Sequence, residues 1–182
     1  AEAKEAIART CADLIPHGAS LLLNIGTTTE AVARALSAHS GLMVVTNNMN
    51  AAQILAGNPS CEVVLTGGAL RRSDGGLVGD LAVQTIRQFK VDIAVIGASS
   101  LDAQGDLLDF DIQEVRVARA ILEQARTSIL VADQGKLKRA APVRIASLGA
   151  LDIWVTDSDP PPALRTRCEV TATEIRVAPP AE

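Results

Sequence analysis

Six short, mostly aliphatic runs, each followed by small or polar residues, set the fold that this chain can adopt. They lie at residues 21–25, 42–45, 62–65, 92–96, 128–132 and 151–156. Hydrophobic residues make up 48% of the 182 residues but aromatic residues only 2%, so Val, Ile, Leu and Ala must build the core. Near-continuous aliphatic strands are typical of parallel sheets that are buried on both faces.

The segments between these runs have the periodicity of helices. Helices are expected over residues 2–15, 29–38, 49–56, 81–89 and 110–125. Strands that alternate with helices predict an α/β fold, with a mostly parallel sheet and helices on both faces.

Three further segments interrupt this alternation. The polar, Gly-rich residues 69–80 are expected to form a long functional loop. Residues 98–109 are expected to form a loop with room for a small hairpin, and three prolines at 160–162 predict a break before a last edge strand at 174–177.

Composition excludes several classes of function for this chain. Its net charge is −4 and its Lys and Arg residues do not cluster as phosphate-binding surfaces require, so contact with DNA must come from another segment. No run approaches the ~18 apolar residues of a membrane span, and no secretory leader is visible. The three cysteines (Cys11, Cys61 and Cys168) are scattered, which favours the reducing cytoplasm.

Small and polar residues gather where the predicted strands end. These positions are Gly26-Thr27, Thr46-Asn47, Gly67-Gly68, Gly97 and residues 133–136. Ligands of parallel sheets bind at the carboxyl ends of the strands. The sequence therefore predicts a ligand site at this edge of the sheet.

The Gly26-Thr27-Thr28-Thr29 turn is the main candidate within this site. Unpaired amides at a helix start hold anions, and Gly lets the backbone approach the ligand closely. The alternative is a capping box, because Thr27 precedes Glu30 by three residues.

Three charged residues are further candidates, each with a simpler alternative. Arg71 either closes over an anion or belongs to a solvated loop tip. Glu114 either accepts hydrogen bonds from ligand hydroxyls or only complements a helix dipole. Lys136 is either a phosphate partner or a solvated loop residue.

Metal and cofactor sites are not expected. His17 and His39 have no partner at metal-ligand spacing. The glycine-rich motifs of dinucleotide and nucleoside-triphosphate sites are missing. No residue is selected as catalytic.

Taken in order, the strand-end motifs resemble a known family. They are Asn24-Ile25-Gly26-Thr27-Thr28, Val45-Thr46-Asn47-Asn48, Gly67-Gly68 with Leu70-Arg71, residues 92–97, Ala132-Asp133 with Lys136, and Val155-Thr156-Asp157. This set, over about residues 1–160, resembles the effector-binding domain of DeoR-family bacterial transcriptional repressors. Residues 30–33, 46–50, 73–76, 109–111 and 114–116 are most similar to the glycerol-3-phosphate branch of that family.

The resemblance implies a fold, a ligand and partners. The fold would be that of the ribose-5-phosphate isomerase and CoA-transferase superfamily. The ligand would be a phosphorylated sugar or polyol, with glycerol 3-phosphate as the leading candidate. Residues 1–182 would be a single effector-binding domain, and operator DNA would be bound by an N-terminal helix-turn-helix domain that nothing in this chain matches.

The resemblance also implies the residues of the site. Phosphate contacts carry over to Gly26, Thr27, Thr28 and Lys136, with Thr46, Asn47 and Gly68 lining the site and Arg71 and Glu114 added to it. Two departures bear on ligand choice: Asn24 replaces the Asp of the family, and Gln134-Gly135 replaces the residues that usually precede the lysine.

Two other functions stay open at this point. A sugar-phosphate isomerase on the same fold would need a carboxylate base, which Asp109, Asp111, Glu114 or Asp133 could supply. An interaction module with a vestigial pocket is the third possibility. A homo-oligomer is expected for a repressor, since repressors read repeated half-sites.

Overall fold

Six α-helices and twelve strands make up the computed structural model, which describes residues 2–180. The helices are α1 (Glu2–Asp13), α2 (Thr27–Ala35), α3 (Met49–Ala56), α4 (Asp80–Arg87), α5 (Ile112–Glu123) and α6 (Pro162–Thr171). The strands are β1 (Ser20–Leu23), β2 (Met43–Thr46), β3 (Glu62–Leu65), β4 (Ala69–Arg71), β5 (Gly76–Val78), β6 (Val91–Ile96), β7 (Ser100–Leu101), β8 (Asp106–Asp109), β9 (Ala125–Val131), β10 (Val143–Ser147), β11 (Ile153–Thr156) and β12 (Glu174–Val177).

Seven of these strands form one parallel sheet in the order β12-β11-β9-β6-β1-β2-β3. The chain adds β2 and β3 on one side of β1, then crosses over and adds β6, β9, β11 and β12 on the other. The direction of winding therefore changes between β1 and β6. Loops that leave these two strands diverge at their carboxyl ends, and such a switch point opens a crevice for ligands.

Helices cover both faces of the sheet, as the sequence predicts. Leu21 and Leu23 of β1 point to the face that α1, α2 and α3 cover. Leu22 points to the opposite face, where it shares a core with residues of α4, α5 and α6. Alternate side chains of one strand thus enter two aliphatic cores, which explains why the strands are apolar throughout.

The loop prediction for residues 69–80 is wrong, because β4 and β5 form an antiparallel hairpin there. The hairpin is fixed from outside: the Met49 amide donates to the Gly75 carbonyl at 2.9 Å, and the Leu77 amide donates to the Asn47 carbonyl at 2.8 Å. Such short strands depend on partners far along the chain, so local sequence gives a weak signal for them.

Residues 98–109 do hold the small hairpin, formed by β7 and β8. The unpredicted strand β10 pairs with β8 and extends it to a three-stranded antiparallel sheet.

The three prolines were expected to break the chain, but Pro162 starts helix α6. Proline suits the first turn of a helix, where its missing N–H has no partner to lose. Helix α6 returns the chain to β12, which lies parallel to β11 at the sheet edge as predicted. Within residues 2–180, no helix has the length and apolar character needed to cross a membrane.

Candidate functional site

A cavity of about 260 Å³ lies at the switch point, between the loops that follow β1 and β6. Six of the nine predicted site residues line it: Gly26, Thr27, Thr28, Arg71, Glu114 and Lys136. Its other walls include Ile25, Thr29, Asp74, Gly97, Ala98, Ser99, Asp109, Phe110 and Val131. Elements that are distant in sequence therefore bring hydroxyl, ammonium, guanidinium and carboxylate groups to one opening.

The start of α2 forms one wall of the cavity. Gly26 is the N-cap, with a φ of 146° that disfavours any residue with a side chain, and no side chain caps the helix. The Thr29 hydroxyl donates to the carbonyls of Asn24 and Gly26, at 2.9 and 2.8 Å. The capping-box alternative for Thr27 and Glu30 is therefore wrong, and the first amides of α2 face the cavity without a side-chain acceptor.

Lys136 faces this helix start from a 3₁₀ turn, Gln134–Lys138, that follows β9. The Gln134 amide donates to an Asp157 carboxylate oxygen at 2.8 Å, and the Gln134 side chain donates to the Thr156 hydroxyl at 2.9 Å. Burial, and next the charge of Arg139, lowers the pKa of the Lys136 ammonium. Within residues 2–180, no carboxylate lies within 4.0 Å of this ammonium. A half-buried cation without an ion pair suits an anionic ligand.

Part of the cavity wall is acidic, with several carboxylates around the guanidinium of Arg71. Arg71 on β4 contacts carboxylates of Glu114, Asp111 and Asp74 at 2.8, 3.5 and 3.7 Å. Burial, and next the charge of Asp109, raises the pKa of Glu114 to about 7, while Arg71 acts in the opposite direction. Carboxylate oxygens outnumber the donors of Arg71 here, so this wall can accept hydrogen bonds from hydroxyl groups.

Three predicted site residues, Thr46, Asn47 and Gly68, do not line the cavity. The Thr46 hydroxyl donates to the Leu23 carbonyl at 2.8 Å and accepts from the Asn48 amide at 3.0 Å. The Asn47 side chain donates to the Leu77 carbonyl at 2.9 Å. These bonds join β2 to β1 and to the hairpin that carries Arg71.

Gly68 has a steric role beside the same hairpin. Its φ is 127°, and a Cβ placed on it would lie 2.6 Å from the Val78 carbonyl oxygen. Glycine therefore lets the two backbones come close together, and this close packing also supports the hairpin.

Asn24 joins β1 to β6 and lies outside the cavity wall. Its side-chain amide donates to the Gly97 carbonyl at 3.0 Å, and its side-chain oxygen accepts from the Gly97 amide at 2.9 Å. This pair of bonds needs one donor and one acceptor, which Asn supplies and an ionised Asp does not.

Lys4, Asp74 and Ser99 also lie in or next to the site, although no sequence motif selects them. The Lys4 ammonium donates to the Thr27 hydroxyl at 2.6 Å, and the Ser99 hydroxyl donates to Asp109 at 2.9 Å. Lys4 lies on the polar side of an amphipathic helix, so nothing in its local sequence marks it. Asp74 lines the cavity from the β4–β5 hairpin, whose sequence predicts a loop.

No group of His, Cys, Asp and Glu side chains in the described part of the chain has a geometry that could hold a metal ion. His17 and His39 lie against each other near the end of α1, with ring centres 5.1 Å apart. The His39 Nε2 atom contacts the carbonyls of Ala12 and Ile15, at 3.1 and 2.9 Å. His39 thus contacts backbone carbonyls at the carboxyl end of α1, and His17 packs beside it.

Comparison with known proteins places this geometry in a family. The family described as "DeoR C terminal sensor domain" matches residues 1–158. The glycerol-3-phosphate regulon repressor of Haemophilus influenzae is 48% identical over 86% of this chain and 61% of its own length. That of Escherichia coli is 46% identical over 88% of this chain and 64% of its own length. The Escherichia coli HTH-type transcriptional repressor CsqR is 38% identical over 96% of this chain and 67% of its own length.

The chain spans 61–64% of the length of the first two relatives, whose names are those of repressors and not of enzymes. Solved structures of low sequence identity share the fold. A D-ribose-5-phosphate isomerase matches 74% of this chain and 52% of its own with a TM-score of 0.54 and 18% identity. The eIF2B beta subunit of Chaetomium thermophilum matches 84% of this chain and 48% of its own with a TM-score of 0.58 and 17% identity.

Proposed function

The chain belongs to the family of DeoR C-terminal sensor domains, and from this premise we propose that its switch-point cavity binds a small phosphorylated polyol or sugar. Glycerol 3-phosphate is the first candidate, because the relatives at 46–48% identity are named as repressors of its regulon. In the full protein, the ligand would alter the affinity of a DNA-binding domain for its operator. The full protein would act in the cytoplasm, as a homo-oligomer.

The observation that carries this proposal is that anion-binding groups and carboxylates line one cavity. Lys136 and the start of α2 line it together with Asp74, Asp109 and Glu114. A phosphate suits the helix start and the lysine, because both stabilise an anion. Hydroxyl groups suit the carboxylates, which accept their hydrogen bonds.

The size of the cavity also favours a small ligand. Pockets for drug-sized molecules occupy ~300–1,000 Å³, and this one has about 260 Å³. A three-carbon polyol phosphate suits this volume better than a nucleotide does.

Regulation requires that the ligand distinguish two states of the repressor. A ligand with equal affinity for the DNA-bound and DNA-free states shifts neither population. The cavity walls come from α2, the β4–β5 hairpin, α5 and the 3₁₀ turn. A bound ligand would hold these separate elements in one arrangement, which gives it a means of favouring one state.

Calorimetry on the purified domain tests the proposal. Glycerol 3-phosphate is expected to bind saturably, whereas glycerol and inorganic phosphate, which each carry only part of its polar groups, bind more weakly. Lys136→Ala removes a charge-assisted contact and is expected to weaken binding by ~10–100-fold. Lys138→Ala is the matched control, since Lys138 lies exposed in the same turn.

Two results would contradict the proposal. Absence of saturable binding by glycerol 3-phosphate and by other sugar phosphates would reject the sensor function. Equal affinities of the parent and Lys136→Ala would reject the assignment of Lys136 as a phosphate contact. The isomerase alternative is not favoured, because the solved isomerase shares 18% identity with this chain and shows the fold alone.

A further inference from the structure

Lys4 contacts the candidate phosphate site from an element that the proposed function does not use. It lies in the first turn of α1, and its ammonium donates to the Thr27 hydroxyl at 2.6 Å. Thr27 itself lines the cavity. A residue 23 positions away thus brings a second positive charge to the start of α2.

The packing of α1 fixes Lys4 in this position. Ile7 and Cys11 are fully buried and share a core with Val32 of α2. Ala8 and Ala31 are buried with them, and such small side chains let the two helices come close together. Lys4 precedes this buried stretch by one turn, so its backbone is held beside Thr27 by the core and not only by one hydrogen bond.

Neither of the two lysines near the start of α2 is held in an ion pair. Within residues 2–180, no carboxylate lies within 4.0 Å of the ammonium of either Lys4 or Lys136. Lys4 is close enough to contribute to the lowered pKa of Lys136, after burial and Arg139, while Asp133 and Asp109 act in the opposite direction. The two ammonium groups repel each other, and an anion that contacts both relieves this repulsion.

We propose that Lys4 binds the anionic group of the ligand together with Lys136, so that an occupied cavity holds the first turn of α1 against the start of α2. An ammonium has three N–H donors, and Thr27 uses one of them. The inference rests on the proposed function. In the proposed full-length repressor, α1 follows the DNA-binding domain, so this contact gives the ligand a direct effect on the segment that joins the two domains.

The experiment measures affinity and the order of α1 in the same domain. Calorimetry with glycerol 3-phosphate is expected to show about tenfold weaker binding by Lys4→Gln and partial recovery in Lys4→Arg, because a charge-assisted hydrogen bond is lost and then restored. Lys90→Gln is the matched control: Lys90 is exposed and precedes β6 at the opposite, amino edge of the sheet. It is expected to bind as the parent does.

Hydrogen exchange of the peptide that covers α1 supplies a result that a purely structural role of Lys4 would not produce. Saturating glycerol 3-phosphate is expected to slow exchange in this peptide severalfold in the parent and in Lys90→Gln. The same measurement on Lys4→Gln uses enough ligand to saturate the variant. Hydrogen exchange in α1 is then expected to be the same with and without ligand.

The results distinguish the inference about Lys4 from the proposed function. If the parent binds and Lys4→Gln binds equally well, or if the ligand protects α1 equally in both, the inference about Lys4 is wrong and the proposed function stands. If the parent binds no phosphorylated compound, the proposed function fails, and this inference fails with it.

Discussion

Replacement of Glu114 by Gln should stabilise the ligand-free domain in a pH-dependent way. The free energy of unfolding of the variant, minus that of the parent, should increase as the pH rises. The Glu114 side chain is 15% exposed and lies 2.8 Å from Arg71. Gln keeps the shape of the side chain but carries no charge. Arg71 retains Asp111 and Asp74 as partners after the change, at 3.5 and 3.7 Å.

The magnitude follows from the raised pKa of Glu114. Burial moves this pKa from 4.5 to about 7 in the folded domain. A shift of one pKa unit corresponds to about 1.4 kcal/mol. When Glu114 is ionised, the folded domain is therefore less stable relative to the unfolded chain by up to about 3 kcal/mol. The protonated form carries no such cost, so the parent loses this stability as the pH rises from about 4.5 to 7.

Urea unfolding at pH 5, 6, 7 and 8 measures this loss. Trp154 is the only tryptophan and is fully buried, so its fluorescence reports the unfolding of the core. The difference in free energy of unfolding between Glu114→Gln and the parent should grow by about 2–3 kcal/mol from pH 5 to pH 8. Glu123→Gln, an exposed change at the other end of α5, is the control and should show a constant difference. A constant difference for Glu114→Gln as well would refute the reasoning.

Three further predictions concern residues around the cavity. Asn24→Asp should lower the free energy of unfolding by ~1–3 kcal/mol at pH 7 in urea titrations, because the Gly97 carbonyl loses its donor. Gly68→Ala should cost ~2 kcal/mol or more by the same assay, since its φ of 127° and the Val78 carbonyl leave no room for a Cβ; Gly18→Ala, with positive φ but open space around it, separates the strain from the clash. Arg71→Met should move the pKa of Glu114 further upward, because Arg71 is the charge that lowers it, and carboxyl NMR titration would detect this.

The central sheet could be predicted because each strand carries its own signal. The strand at residues 62–65 and the helix at 49–56 have the bounds that the sequence analysis gave them. The apolar spacing and the polar ends of these two elements are local properties of the chain. The residues near Gly26 and Lys136 could be selected for the same reason, since they directly follow buried strands.

The remaining parts depend on contacts between distant segments. The β4–β5 hairpin is held by backbone bonds from Asn47 and Met49, and the local composition of residues 69–80 resembles a loop. Asn47 marks a strand end, but the sequence does not tell whether such a residue contacts the ligand or supports the wall that does. Lys4 reaches Thr27 only after α1 has packed on α2. Local patterns thus predict which edge of the sheet carries the site, and tertiary packing decides which side chains enter it.

The bonds already made by the acidic wall fix its carboxylates in place for recognition of hydroxyl groups. Here Glu114 accepts from Arg71, and Asp109 accepts from the Ser99 hydroxyl and the Phe110 amide, at 2.9 and 2.8 Å. Asp111 caps α5 through the amides of Gln113 and Glu114. Carboxylates held by such bonds keep fixed positions and retain lone pairs toward the cavity, which suits the binding of hydroxyl groups by a sensor.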